Sequence, residues 1–409
     1  VKEALARLRA EADIVVLEGA GSPAEVNLKD RDIVNMRAAE WADAPVLLAA
    51  DIDRGGVFAS IVGTLEILSP AERARVEGFV INKFRGDASL LQPGLDWLEA
   101  KTGKPVLGVI PYLPELGIED EDSASLDSKR RPVYAAERSD GHADIDVAVI
   151  RFPRISNFTD IDPLLLEPDV RVRFVSAASE WGNPDAVVLP GSKNTIEDLL
   201  YLRQQGLEPL IINHVKSLQR HLIGICAGYQ MLGERLLDPG GFESDKFQEL
   251  AGLGLLPAET VFTAEKRTVR VQGTAMLFNN SDGIQKSPCA IDGYEIHMGR
   301  TRYTKPVAAP FLIAEQGATP HGDGATAADG RLWGTYVHGI LHNDELRRAW
   351  LNELRVAKGL RPLPPQVRFR ERRERAFDRL AAHVRSHLDM NRIYEMIGLT
   401  APQNGGTFQ

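Results

Sequence analysis

The chain has 409 residues, 44% hydrophobic and 26% charged, enough to bury a sizeable core in more than one domain. With 48 Lys and Arg against 57 Asp and Glu, the formal net charge of −9 offers no general attraction for nucleic acid. Two cysteines, Cys226 and Cys289, exclude a disulfide framework or a zinc site and suit a reducing cytoplasm. No apolar run approaches the roughly 18 residues of a membrane span, so no membrane partner is expected.

The first segment, "VKEALARLRAEADIVVLEGAGS", reads as a helix leading into a buried strand at 13–17, in a chain that opens on Val rather than Met. Three further β-branched runs follow: "APVLLAADIDRGG" (44–56), "VEGFVINKFRGD" (76–87) and "KPVLGVIPYLP" (104–114). Strands separated in this way by helical periods predict a parallel α/β sheet with ligands at the carboxyl ends of its strands. Residues 119–144 are polar and without periodicity, and are expected to form a linker.

A second α/β series begins at "IDVAVIRFP" (145–153) and continues through "VRVRFVS" (170–176), "DAVVLPGSKNT" (185–195) and "HLIGICAGYQ" (221–230). The later "GYEIHMGRTRY" and "LWGTYVHGILHN" have an antiparallel composition. The charged end, about 356–400, carries apolar residues at helical spacing and reads as a helix packed on a partner face. The expected domains are 1–118, 145–355 and a helical extension over 356–409, joined by the 119–144 linker.

Cys226 falls where the strand ending at Ile225 meets the next helix, flanked by Gly224 and Gly228. That is the pattern of a nucleophile elbow, in which a strained turn holds a side chain above the sheet and the helix dipole favours thiolate. A buried structural cysteine is the other reading. His338, at the end of an apolar strand-like run, supplies a base that the fold can bring to Cys226.

The segments "LEGAGSPAEVNLKDRDIVNM", "DIDRGGVFAS", "INKFRGD", "GVIPYLP", "LPGSKNT", "GICAGYQMLG", "GYEIHMG" and "GTYVHGI" occur in this order over nearly the whole chain. On these segments the sequence resembles the cobyric acid synthase family, glutamine-dependent amidotransferases acting on adenosylcobyrinic acid a,c-diamide. The resemblance implies a P-loop NTPase-like, dethiobiotin synthetase-like sheet domain, followed by a class I glutamine amidotransferase domain of flavodoxin-like α/β fold. It further implies that Cys226 attacks the amide of L-glutamine while His338 shuttles the proton. Backbone amides near Gly191 and Ser192, with that of Ala227, are expected to form the oxyanion hole, although "PGS" also reads as a plain turn. Gln230 is assigned either to glutamine binding or to a polar role on the helix surface.

The usual class I acid, two residues beyond the histidine, is replaced by Ile340. Asp344, Glu295, a backbone carbonyl or water is left to orient His338. In the first domain the resemblance implies ATP and Mg²⁺ as co-substrate and metal. Glu18 is expected to meet Mg²⁺ or the phosphates, and Asp51 and Asp53 stand at the corresponding place on the next strand, although capping explains these acids as well. Asn82 is expected to contact adenine, with Lys83 and Arg85 toward phosphate or the anionic corrinoid. No G-x-x-x-x-G-K-[ST] occurs in the chain, and the family carries its phosphate loop near the start. The reading is therefore of an N-terminally truncated synthetase domain that retains, at best, glutaminase chemistry by itself. The alternatives are a related amidoligase for another acid and a non-catalytic nucleotide-binding regulator. Self-association is allowed for.

Overall fold

The structure, a computed structural model, describes residues 1–118, 144–277, 288–327 and 329–399. The expected linker lies outside the described residues apart from Asp144. Two compact units divide the chain, Val1–Gly117 with Glu374–Gln409, and Ile118–Arg373.

The first unit opens with α1 (Lys2–Glu11) and α2 (Met36–Ala42), and then alternates β1 (Val46–Asp51), α3 (Val57–Ile67), α4 (Pro70–Arg75), β2 (Val76–Phe84), α5 (Gln92–Thr102) and β3 (Val106–Pro111). Its three strands pair in parallel in the order β1-β2-β3, over a core of Val57, Ile61, Leu65, Val76, Phe79 and Leu98. Ser69 caps α4 in a reciprocal box with Glu72, and Pro70 sets the first turn. The strand expected at 13–17 does not form. Ile14, Val16 and Leu17 are exposed, Val16 at 89%, and no ladder joins the segment to β1. β-branched composition describes residues that suit a pleated, half-buried surface, and without a hydrogen-bonded neighbour it makes no strand.

The second unit continues with β4 (Ile145–Ile150), β5 (Ile155–Ser156), α6 (Asp162–Leu166), β6 (Val170–Val175), β7 (Ala186–Leu189), β8 (Gly191–Ser192), α7 (Thr195–Gln204), α8 (Leu207–Lys216), β9 (His221–Ile225) and α9 (Ala227–Met231). β10 (Arg235–Leu237), β11 (Glu249–Ala251), β12 (Ala258–Ala275), β13 (Cys289–Tyr303), β14 (Phe311–Ala314) and β15 (His321–Asp323) follow, and then β16 (Ala325–Thr326), β17 (Leu332–Thr335), β18 (Val337–His338) and α10 (Asp344–Ala357). The central sheet has the order β16-β17-β9-β7-β4-β6; β4, β7 and β9 are buried runs, β6 is a half-buried edge strand, and their mutual pairings are all parallel. "LWGTYVH" departs from its expected antiparallel character. Leu332–Thr335 pairs in parallel with β9, and only after Tyr336 does the chain cross to pair antiparallel with β13. A fully buried apolar run carries no alternation from which strand direction can be read.

His214 and His221 lie inside this unit. Burial pushes both imidazoles down to about 4, against the weaker support His214 gains by hydrogen bonding to the His221 carbonyl. Both stay neutral in the fold where unfolded histidines would charge. Their contribution to stability is therefore whole above pH ~6.5 and lost as pH falls toward 4. His214→Phe is expected to recover roughly 2–3 kcal/mol of the stability lost between pH 7 and 4.5, measured from urea midpoints at the two pH values. An unchanged acid loss would refute the assignment.

The chain ends in α11 (Phe369–His387) and α12 (Met390–Met396), and the boundary between the units falls within α11. In the first unit, Arg379 donates to the carbonyls of Pro114 and Glu115, and Asp389 donates its N–H to Leu107. Gly108 meets the backbone of His387 so closely that a Cβ would lie 2.0 Å from its carbonyl oxygen. The C-terminal helices are thus tied to this unit by hydrogen bonds and one close backbone approach.

Candidate active site

Cys226 has φ 53° and ψ −109°, a strained position for a residue with a Cβ, on the turn between β9 and α9. The surroundings hold it there. Its N–H donates to the Thr335 carbonyl at 2.8 Å, and its carbonyl accepts from Gln230 at 3.0 Å. Gly228 packs so tightly on β7 that a Cβ would stand 2.0 Å from the Leu189 oxygen. α9 spans only five residues before the chain turns toward β10, so the helix dipole expected behind the sulfur is that of a short helix.

His338 is fully buried at the end of β18, near enough to Cys226 for the thiol to act on its titration, while the Cys226 Sγ–H itself points to the Ile296 carbonyl at 3.7 Å. Its Nδ1 lies 2.7 Å from Asp160 Oδ2, while Asp160 Oδ1 accepts the Gly339 N–H at 2.6 Å. Burial works against a charged imidazole here, but the Asp160 carboxylate and Cys226 outweigh it, and His338 is pushed up to about 10. Asp160 is therefore the acid that orients His338. Of the groups proposed from sequence, Asp344 instead pairs with Arg347 and caps Phe369, and Glu295 pairs with Arg267. Asp160 was not among the groups singled out from sequence; it lies in the short 3₁₀ turn Phe158–Ile161 after β5, ten residues past the end of β4, where no local motif marks it.

Gly191 approaches His338 so closely that a Cβ would sit 3.0 Å from the imidazole Cε1. Gly191 and Ser192 pair as β8 with β5, and the Ser192 hydroxyl turns away to donate to Asp198 at 2.6 Å. "PGS" is thus more than a plain turn, and its side-chain hydroxyl is committed elsewhere. The Gly228 and Gln230 amides donate to the Pro190 and Cys226 carbonyls. Gln230 is buried, not on the helix surface. Its Oε1 accepts from Thr195 at 2.9 Å, and its Nε2 donates to Met298 at 3.0 Å and to Tyr336 at 3.3 Å.

In the first unit, register pairs Asp51 with Asn82 at the carboxyl ends of β1 and β2. Lys83 Nζ lies 2.6 Å from Asp51, Arg85 Nε 3.1 Å from Asp53, and the Arg85 guanidinium lies 3.4 Å from the centre of the Tyr112 ring. Desolvation opposes ionisation of Asp51, but Lys83 and the Asp53 N–H hold its carboxyl below the usual range. Glu18 lies on the unpaired segment, which shares with β1 a cavity of about 600 Å³. Among the described residues no cluster of three or more His, Cys, Asp or Glu is arranged for a metal.

A cysteine on a strained strand-to-helix elbow, near a buried histidine that is bonded to a buried aspartate, is the arrangement a thiol-dependent acyl-transfer site requires. Residues 146–346 match the family of CobB/CobQ-like glutamine amidotransferase domains, and residues 1–120 match an AAA domain. A cobyric acid synthase of Geobacillus kaustophilus is 51% identical over 97% of this chain and 75% of its own length. Those of Moorella thermoacetica and Dehalococcoides mccartyi are each 49% identical, over 98% and 96% of this chain and 76% and 75% of their own lengths. The chain belongs to the cobyric acid synthase family. It is an enzyme of glutamine-dependent amidation in cobalamin biosynthesis.

Proposed function

We propose that Cys226 is the nucleophile of the glutaminase half-reaction, His338 its base and then acid, and Asp160 the residue that fixes the imidazole. The observation carrying this reading is the buried His338, bonded through Nδ1 to Asp160 at 2.7 Å and packed against Gly191 beside the strained elbow that holds Cys226. As Sγ bonds to the side-chain carbonyl carbon of glutamine, its proton passes to His338 Nε2. The same proton then goes to the leaving nitrogen as the C–N bond breaks, giving ammonia and a glutamyl thioester, which water cleaves to glutamate. The Ala227 N–H, with the backbone at Gly191 and Ser192, would stabilise the tetrahedral oxygen.

The acceptor we propose is adenosylcobyrinic acid a,c-diamide, amidated at its b, d, e and g carboxylates. ATP supplies the phosphoryl group that makes a carboxylate reactive toward ammonia. Asp51 and Asn82 would hold the nucleotide at the strand ends, and Glu18 would offer the hard carboxylate oxygen that Mg²⁺ prefers. A magnesium ion held largely by phosphates needs only one or two protein carboxylates, so the donor set fits it. The free thiols Cys226 and Cys289 are consistent with a cytoplasmic setting.

Cys226→Ala is expected to abolish glutamate release and labelling by a thiol-directed glutamine analogue while ammonia-dependent amidation of the diamide by a complete family member survives. Glutamate release by the alanine variant at the parent rate would end the nucleophile assignment.

A further inference from the structure

We propose that Asn157 and Tyr294 form a reversible hydrogen-bond relay that lets His338 take the Cys226 proton and hold it until the leaving amine receives it. The inference rests on the Cys226–His338 reading above and adds two positioning residues to it. One short turn delivers both partners of the imidazole. Asn157 ends the segment after β5 in the left-handed conformation, φ 49° and ψ 39°, which asparagine tolerates better than most residues with a Cβ. Its carbonyl accepts the Asp160 N–H at 3.0 Å, closing the turn that sends Asp160 to Nδ1 and Asn157 to Nε2.

The Asn157 amide nitrogen lies 3.2 Å from His338 Nε2, and Asn157 Oδ1 accepts the Tyr294 hydroxyl at 3.1 Å. The Tyr294 ring stacks on the imidazole, with centroids 5.3 Å apart and planes 24° apart. In the neutral imidazole the single lone pair of Nε2 is taken by the amide, so the carboxamide must turn away before that nitrogen can receive the thiol proton. Once the S–H bond has broken and Nε2–H has formed, that nitrogen needs an acceptor instead. Rotating the carboxamide by half a turn presents Oδ1 to Nε2–H and the NH₂ group to the Tyr294 oxygen, which accepts as readily as it donates. Both bonds are remade with reversed polarity, and no proton enters or leaves through Asn157. The titratable groups around His338 are Asp160, Cys226, Tyr294 and, from the same strand as Tyr294, His297. Burial, with Asp160 and Cys226 nearby, raises the Tyr294 hydroxyl above its ordinary range, so it keeps its proton throughout.

The test compares parent, Asn157→Leu, Tyr294→Phe and Cys226→Ala chains by the pH dependence of iodoacetamide alkylation at Cys226 and by glutamate release. A hydrogen bond to a charged group is about twice as strong as a neutral one, so removing the relay disfavours the imidazolium–thiolate form. The alkylation midpoint should rise by about one pH unit in Asn157→Leu and by less in Tyr294→Phe. Turnover should fall about 10- to 100-fold with KM for glutamine within about threefold. Tyr294→Phe keeps the stacked ring, so it carries the test if Asn157→Leu does not fold. A Tyr294→Phe chain with the parent alkylation profile, or a loss confined to KM, overturns the relay. If Cys226→Ala is inactive while both relay variants match the parent, only the relay falls. If Cys226→Ala still releases glutamate, the reading beneath it falls as well.

Discussion

Replacing Asp160 with Asn is expected to lower glutamate release about 10³- to 10⁴-fold with the melting temperature nearly unchanged, by analogy with removal of the charge from a serine-protease triad aspartate. The carboxylate accepts from His338 Nδ1 at 2.7 Å and from the Gly339 N–H at 2.6 Å, so it fixes both the tautomer and the backbone behind the ring. An asparagine in its place can turn its NH₂ toward Nδ1, which moves the imidazole proton to Nε2 and removes the lone pair that should receive the thiol proton. Because the Asp160 charge helps to raise His338 to about 10, the substitution should also move the histidine's titration to lower pH. Single-turnover release measured from pH 6 to 10 would show both effects. A variant with the parent rate would mean that another group orients His338.

Glu167→Ala should give the largest loss of stability of any single carboxylate change, about 3–5 kcal/mol, since it strands buried guanidinium charge. Glu167 is fully buried between Arg347, whose Nε lies 2.7 Å from Oε1, and Arg348, which bonds Oε2. Arg347 also donates to the Leu341 carbonyl at 2.8 Å, just beyond His338, and to the Val367 carbonyl at 3.0 Å. Arg348 and Arg355 meet next at Asp169, whose carboxyl they hold low despite its burial. For a unit of this size the loss corresponds to a fall of about 10 °C in melting temperature, readable by calorimetry. The control is Glu265→Ala, which breaks an exposed pair with Arg300 and should cost less than about 1 kcal/mol. Equal effects would show that burial does not decide the energetics of these pairs.

Much of the architecture was legible because buried parallel strands leave a strong local signature. "APVLLAAD", "VEGFVINKF", "IDVAVI" and "HLIGI" all became strands close to the expected places, since continuous β-branched runs bounded by turns have few other low-energy uses. "DIVVLEG" shows the limit of that signature. It has the same composition, yet without a ladder partner it is not a strand.

Sequence by itself determined the family and pointed to Cys226 at the elbow and to His338. A nucleophile held on a strained turn requires a particular set of neighbours, Gly224 and Gly228 around Cys226, and that set is contiguous in the chain. Only the tertiary structure decided which acid serves the histidine. Asp160 and His338 are 178 positions apart and meet through the turn after β5 and the crossing of β17 into β18. No local spacing records a contact made by the chain's return. For the same reason the buried commitment of Gln230, the direction of β17 and the Asn157–Tyr294 pair appear only when distant segments are packed together, because burial and hydrogen-bond satisfaction belong to the assembled core.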